Sequence, residues 1–356
     1  MIDSELEQIA EAAQALLEPG RRTARSTGTD VGRNWFELAK HGMTRVSSPT
    51  PLGGGEDPLY LGAILKALGR AAASAPLIET QVGASLLVAA GLANEMSIPP
   101  DSPISSALDP HLLCRSLGSR SHLPAMYTQP SDVLVVAILD PRRADVSVHA
   151  WYWDDLDVPI APNLAGEPIA RLDIAALARP RWSGSVTLEE AGWCAVVDSV
   201  GRSLMVAGAA ERAVEQTIAH VGERRQFGRR LADFQSVQQT VAQMAGLASA
   251  ASAAADASLS LVSRCTAAGA PSVTEELWLA AMATRIQCAR SAAFVSRGAH
   301  QLHGALGTTQ ELGLHLVTTR LRAWSAHGPA SEEVARELGN HAFAKSELWP
   351  FLTCGS

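Results

Sequence analysis

The sequence predicts a mainly α-helical protein with a small β domain in the middle of the chain. Three observations lead to this fold class. Alanine is abundant and aromatic residues make up only 5% of the 356 residues, which favours closely packed helices. Apolar residues recur every three or four positions towards both ends of the chain. Short β-like runs are confined to the region between them.

Residues 1–95 are predicted to form an α-helical N-terminal domain. The first helix is indicated by Leu6, Ile9, Ala13 and Leu16, which are spaced for one helix face. A loop over residues 47–57 then interrupts the helices with the sequence P-L-G-G-G-E-D. This glycine run lacks the lysine and the Ser/Thr of a phosphate-binding P-loop, and no clear strand precedes it. It is therefore predicted to be a linker.

Residues 96–190 are predicted to form a short β domain. Prolines cluster at its start, and β-like runs follow at residues 133–139 and 146–151, with a third at 185–188. A turn over residues 140–143 separates the first two runs. No catalytic motif is recognisable in this region.

Residues 191–356 are predicted to form a C-terminal helical bundle. Small apolar residues repeat at helical spacing in two stretches, which lets neighbouring helices approach closely. These stripes indicate bundle core rather than a cofactor site, and they consist of Ala207, Ala210, Val214, Ile218 and Val221, and of Trp278, Met282, Ile286, Ala289 and Ala293.

Composition and charge limit the function classes. The net charge of −7 argues against bulk attraction to nucleic acid or to an acidic membrane. The five cysteines are scattered without a CxxC pair, which suits a reducing cytoplasm and argues against a metal site or a disulfide framework. The N-terminus is acidic and unlike a signal peptide. No apolar run approaches the ~20 residues of a membrane span, so we expect a cytoplasmic protein.

One segment, residues 223–239, has the sequence E-R-R-Q-F-G-R-R-L-A-D-F-Q-S-V-Q-Q and is predicted to be a helix end, a loop and a helix start. Its arginines crowd a turn at Gly228. Exposed amides and fixed positive charge at such a junction can hold a phosphate or a pyrophosphate. The alternative is a solvated corner without a ligand. The arginines are Arg224, Arg225, Arg229 and Arg230.

The order of domains and three motifs resemble the acyl-CoA dehydrogenase family. R-R-Q-F-G-R-R-L-A-D-F-Q resembles the family signature R-x-Q-F-G-x-x-[LI]-x-x-F-Q, and Q-L-H-G-A-L-G at residues 301–307 resembles Q-x-x-G-G-x-G, with Ala305 in place of the second glycine. Residues 53–76 resemble the family's linker and the helix before a conserved proline. The resemblance implies an α-helical N-terminal domain, a β middle domain and a C-terminal four-helix bundle.

The resemblance also implies that FAD is bound at a subunit interface. In the family one subunit holds the flavin, and the neighbour's C-terminal domain holds the pyrophosphate and the adenine. For Phe234, plain core packing is an equal alternative. The residues expected on the adenine and pyrophosphate side are Arg224, Gln226, Phe227, Phe234, Gln235, Gln301, His303 and Gly304.

The family's catalytic base is absent from its commonest position. Where the family has the glutamate of an E-G-T motif, this chain has His327 before Gly328. A minority of the family carries the base on an earlier helix, and the matching residue is Asp198. Arg202 is the candidate contact to the CoA substrate, since Ser199 replaces the arginine that often follows the base. Asp198 and Arg202 are four positions apart, so an ordinary ion pair is the alternative.

The middle region departs most from the family, because no T-E-P-x-x-G-S-D run and no W-[IV]-T-N strand is present. We therefore expect the degenerate subunit of an α2β2 acyl-CoA dehydrogenase, as in actinobacterial steroid degradation. It would complete the FAD site of a second, fuller subunit, act on an acyl-CoA that could be steroid-derived, and pass electrons to an electron-transfer acceptor. The alternatives are a structural subunit without FAD and an active homotetramer that uses Asp198 as base.

Overall fold

The computed structural model describes residues 2–17, 30–114, 122–128, 132–140, 145–268, 272–309 and 312–344. The N-terminal region is helical. Asp57 caps its third helix, because its Oδ1 accepts a hydrogen bond of 2.9 Å from the Leu59 amide and Pro58 occupies the first turn. The helices are α1 (Ile2–Leu17), α2 (Val31–Lys40), α3 (Pro58–Arg70) and α4 (Leu77–Ala89).

The middle region consists of two small sheets packed face to face. One has the strand order β1-β3-β4-β7, with β1 and β3 parallel, and the other has the antiparallel order β2-β6-β5. Side chains such as Leu134, Trp151, Leu123 and Leu172 form a buried core between them. The strands are β1 (Ile104–Leu108), β2 (His122–Met126), β3 (Val133–Asp140), β4 (Asp145–Tyr152), β5 (Ile160–Pro162), β6 (Pro168–Asp173) and β7 (Trp182–Val186).

The predicted β runs at 133–139 and 146–151 correspond to β3 and β4. Residues 141–143 of the predicted turn lie outside the described residues. The third run was placed too far along the chain, since β7 ends at Val186. Thr187 then caps the next helix in a capping box with Glu190, whose carboxylate accepts a hydrogen bond from the Thr187 amide.

The C-terminal region is a bundle of long helices. Helices α5 to α8 pack against one another, and α9 lies against α7. A two-stranded hairpin projects between α5 and α6. The elements are α5 (Leu188–Glu223), β8 (Arg225–Gln226), β9 (Arg229–Arg230), α6 (Gln235–Ala267), α7 (Glu275–His303), α8 (Leu314–Ser325) and α9 (Ser331–Ala344).

The N-terminal region meets the bundle where α3 crosses α5 with almost no space between the backbones. A Cβ atom on Gly208 would stand 2.2 Å from the Lys66 carbonyl oxygen, and one on Gly69 would stand 2.2 Å from the Met205 carbonyl oxygen. Glycine is therefore needed at both positions for the backbones of α3 and α5 to lie so close together.

A buried carboxylate, Glu167, connects all three regions. Its Oε1 accepts hydrogen bonds from Ser74 Oγ (2.5 Å), which precedes α4, from Tyr127 Oη (3.0 Å) and from Trp324 Nε1 (3.0 Å) on α8. Arg320 Nε lies 4.0 Å from the same oxygen and donates to Ser74 Oγ at 2.8 Å. The charge is thus paired and hydrogen-bonded, as burial requires.

Helix α6 differs from the sequence expectation on membrane spans. Among the described helices it is the one with the length and hydropathy to cross a membrane, with a third of the apolar window buried. Alanine accounts for much of this hydropathy, and the helix packs against α5 and α7. Met244 and Ala248 on this helix are buried, whereas Val237 and Val241 near its start are only half-buried.

The predicted fold class, mainly α with a small β domain, is confirmed. The predicted domain limits of 1–95, 96–190 and 191–356 stay predictions.

Candidate functional site

The arginine-rich segment forms a tight β-hairpin. Arg225 pairs with Arg230 and Gln226 with Arg229. The two turn residues, Phe227 and Gly228, have φ angles of +52° and +79°. Positive φ at both central positions defines a type I′ turn, which suits glycine but is unfavourable for phenylalanine by about 1–2 kcal/mol.

Phe227 stands at the tip of this hairpin with 87% of its surface exposed. Its ring meets the ring of Phe234 edge-on, with the two centroids 6.2 Å apart. The Arg229 guanidinium lies over the Phe234 ring, 3.9 Å from its centroid. Phe234 is therefore half-buried beneath the hairpin rather than packed into the bundle core. The result is an exposed apolar tip surrounded by arginines.

A cavity of about 460 Å³ lies at the base of the hairpin, between the end of α5, the start of α6 and the end of α7. It brings together residues that are far apart in sequence. The remaining predicted cofactor residues, Phe227, Phe234 and Gln235, do not line it. The predicted residues that do are Arg224, Gln226, Gln301, His303 and Gly304.

The cavity is suited to an anion. Arg224 supplies a permanent positive charge, and Ser236 and Val237 in the first turn of α6 also line the wall. Phe234, at the N-cap of that helix, offers no side-chain hydrogen bond to its first amides. An uncapped start of a 33-residue helix carries partial positive charge and amides that favour a phosphate.

Gly304 shapes the opposite wall. It ends α7 with φ +60° and ψ −141°, a conformation that is essentially restricted to glycine. A Cβ atom there would have no neighbour within 4 Å, so the backbone faces open space. A ligand can approach this part of the chain closely.

His220 also lines the cavity, although the sequence prediction missed it. Its ring stacks on that of His303 with centroids 4.2 Å apart and planes 20° apart. Burial lowers the pKa of both imidazoles, and for His220 the nearby His303 and Arg224 lower it further. The available signal was its spacing, since His220 precedes Arg224 by four positions on one helix face.

The two candidate positions for a base meet at a second, much smaller cavity. Asp198 and His327 both line it, together with Arg202, and its volume is about 50 Å³. Burial, followed by the charges of Arg202 and Arg285, holds the pKa of His327 well below its usual range. His327 is therefore neutral at pH 7.

Asp198 is engaged in a buried ion triad. Arg202 Nε donates to both of its carboxylate oxygens at 3.1 Å, and Arg202 Nη2 donates to Glu79 Oε1 at 2.9 Å. Arg202 is 2% exposed and Glu79 is fully buried. Burial raises the pKa of Glu79 to about 7, although Arg202 opposes the shift. No sequence signal linked Glu79 to this site, because it lies on α4, in another part of the chain.

The residues around the large cavity fit one end of FAD, and those at the two base positions do not fit the other end. The large cavity, with Arg224 and the α6 N-terminus, matches the charge and size of a pyrophosphate with its adenosine. The cavity at the base positions, at about 50 Å³, has no room for a flavin ring system. A single benzene ring occupies an engineered cavity of about 150 Å³.

Comparisons with known proteins agree with this geometry. Residues 199–340 match the family described as "Acyl-CoA dehydrogenase, C-terminal domain". The structure superposes on that of the "Tcur3481-Tcur3483 steroid ACAD" variant with a TM-score of 0.73 and 18% identity, over 96% of this chain and 98% of the other. The C-terminal region is thus similar to that of acyl-CoA dehydrogenases, and the fold of the whole chain is similar to that of a steroid ACAD.

Two further proteins are also similar to this chain. "Acyl-CoA dehydrogenase IpdE2" of Mycobacterium tuberculosis (strain ATCC 25618 / H37Rv) is 26% identical over 316 residues, which cover 86% of this chain and 84% of that protein. The ChsE4-ChsE5 complex from Mycobacterium tuberculosis matches with a TM-score of 0.72 and 16% identity, over 96% of this chain and 98% of the other.

Proposed function

We propose that this chain is a subunit of a heteromeric, FAD-dependent acyl-CoA dehydrogenase that desaturates an acyl-CoA thioester between its α and β carbons. It contributes the adenine and pyrophosphate side of the FAD site, and a partner subunit contributes the flavin pocket and the catalytic base. One observation carries the proposal. The cavity beside Arg224 measures about 460 Å³, whereas the cavity at both base positions measures about 50 Å³.

The hairpin supports a site that is shared between subunits. Phe227 is held in an unfavourable backbone conformation and is almost fully exposed at the tip. Such strain and exposure are typical of a residue that acts on a binding partner. Phe227 and its neighbouring arginines therefore reach towards the flavin-holding subunit.

The triad supports the absence of a working base on this chain. Both oxygens of Asp198 accept a hydrogen bond from Arg202, which supports a structural role for this carboxylate. Arg202 in turn is held by Asp198 and Glu79, which supports a structural role for it.

The chain's own groups would act by binding and orienting the cofactor. Arg224 and the amides of α6 would hold the pyrophosphate, while Gln301 and the open backbone at Gly304 would adjoin the adenosine. FAD would supply the acceptor for the hydride from the β carbon. The partner's carboxylate removes the α proton, and an electron-transfer acceptor then reoxidises the complex.

The proposed substrate is a steroid-derived acyl-CoA, and the proposed location is the cytoplasm. The substrate proposal is supported by the steroid ACAD among the similar structures. It also agrees with the small volume of this chain's own cavity at the base positions, because a bulky acyl group would have to be accommodated by the partner.

Co-expression with a candidate partner subunit tests the proposal. We expect the chain alone to be purified without flavin and the complex to contain FAD. Arg224→Ala should remove most of that FAD, and the control Arg264→Ala, a change to an exposed residue near the end of α6, should not. A yellow protein that carries one FAD per chain without a partner and oxidises acyl-CoA would favour the active homotetramer. Unchanged FAD in the Arg224→Ala complex would favour a purely structural subunit.

A further inference from the structure

His220 lies one helical turn before Arg224 and faces the same cavity. No described residue forms a hydrogen bond with either of its ring nitrogens, and the side chain is partly exposed. Its ring lies flat against His303 at 4.2 Å. The imidazole is thus held in one orientation while its nitrogens stay available to a ligand.

His303 provides the fixed support for this stack. Its side chain is 6% exposed, and its Nδ1–H donates to the Ala299 carbonyl oxygen at 2.8 Å. This bond fixes the tautomer of the neutral ring, because a carbonyl oxygen only accepts.

We propose that His220 binds a phosphate oxygen of the pyrophosphate held by Arg224 and takes up a proton when it does so. The inference rests on the function proposed above and adds a ligand-binding residue to that site. It makes cofactor binding dependent on pH.

The charges around His220 set the direction of this dependence. The groups that face it are His303 on α7 and Arg224 and Glu223 at the end of its own helix. Burial and the first two groups lower the pKa of His220, whereas Glu223 raises it, so the empty site holds a neutral imidazole at pH 7. A pyrophosphate diester brings two negative charges, which favour the protonated form.

Proton uptake on binding means that affinity rises as the pH falls. Between the lower pKa of the empty site and the higher pKa of the occupied site, affinity changes by up to about tenfold per pH unit. We expect the dissociation constant to fall by roughly tenfold between pH 8 and pH 6.

Isothermal titration of the full chain with ADP-ribose tests this dependence. Each phosphate of this probe carries one ester bond and one anhydride bond, so the ligand itself does not titrate in the range. Titrations at pH 8, 7 and 6, in buffers with different heats of ionisation, count the protons taken up. His220→Gln should bind ADP-ribose without proton uptake, and His220→Phe, which keeps a stacked ring, should do the same. The control His149→Gln, on β4, should behave like the original protein.

The outcomes separate this inference from the proposed function. Binding that is independent of pH, or proton uptake that persists in His220→Gln and His220→Phe, would overturn the role of His220 and leave the cofactor site standing. Failure of the chain to bind ADP-ribose at every pH would overturn the role of His220, whereas the proposed function would still be decided by the FAD content of the complex. Coenzyme A also contains an adenosine pyrophosphate, so it serves as a competitor at pH 8. Displacement of ADP-ribose by coenzyme A but not by FAD would assign the cavity to the substrate and overturn the proposed FAD site.

Discussion

Arg202 binds both carboxylate oxygens of Asp198 through its Nε, at 3.1 Å each. The same guanidinium binds Glu79 on α4, so Arg202 links α4 to α5. Asp198, the residue that matches a catalytic base by position, is thus part of an ion triad that connects two helices. An ion pair was the alternative interpretation from the sequence, and the geometry favours it. The assignment of Asp198 as base stays an untested prediction that turnover can decide.

Asp198→Asn should leave turnover of the assembled complex unchanged and lower the stability of the chain. The amide loses one charge-assisted acceptor for Arg202, which costs about 2 kcal/mol of unfolding free energy. Steady-state kinetics of the complex and urea unfolding of the chain measure the two effects. Asp256→Asn, which removes an exposed partner of Lys66, is the control and should change neither. A large loss of turnover would restore Asp198 as the base.

Glu79→Gln should flatten the dependence of stability on pH between about pH 4.5 and 7. The folded pKa of Glu79 is about 7 and its ordinary value is 4.5. The folded state therefore binds this proton more tightly, and stability is lost as the pH rises through that window, by on the order of 3 kcal/mol.

Urea unfolding at pH 5, 6 and 7 measures this slope in both proteins. The difference between them isolates Glu79 from His327, whose lowered pKa acts in the opposite direction as the pH falls below 6.5. Glu276→Gln, at an exposed position, should keep the original slope. If the dependence of stability on pH were unchanged in Glu79→Gln, the raised pKa of Glu79 could not be its cause.

Phe227→Gly should leave the isolated chain as stable as before, or slightly more stable. Glycine adopts the positive φ of +52° without strain, although it is more flexible when unfolded. The complex should nevertheless lose affinity for FAD or for the partner, because the exposed ring is removed. Thermal unfolding of the chain and flavin retention by the complex measure the two effects. Equal flavin retention would show that the ring has no role at the interface.

Gly208→Ala should destabilise the chain by about 1–3 kcal/mol, since the new methyl group would overlap the Lys66 carbonyl oxygen and force α3 and α5 apart. Gly246→Ala is the matched control. It lies in the interior of α6 with nothing within 4 Å of the added carbon, so it should stabilise the helix by about 1 kcal/mol. Chemical denaturation of both variants measures the difference. Similar values for the two would mean that the helices can separate without cost.

The sequence predicted the parts of the site that depend on local chemistry. Arg224 and Gln301 belong to short motifs at helix ends, and the helix packing brings both to one cavity. His220 was missed because its spacing from Arg224 is a weak signal until its neighbour across the bundle, His303, is known. Glu79 was missed for a stronger reason: its raised pKa depends on burial against Arg202, 123 positions away.

The fold was predictable where periodicity is regular, as in the long helices and in β3 and β4. The parallel pairing of β1 with β3 was not, because parallel strands are joined by long connections without a hairpin signal. Phe227 was expected to line the cofactor site, yet it stands outside this chain's own cavity.

Glu167 couples the unfolding of the three regions. Ser74, Tyr127 and Trp324 come from different domains and donate to the same buried oxygen. Separation of any one region would expose the carboxylate to a partly dismantled, poorly solvated pocket, so partial opening is disfavoured relative to complete unfolding. The helical bundle is thus kept rigid through a contact that also involves the N-terminal and middle regions.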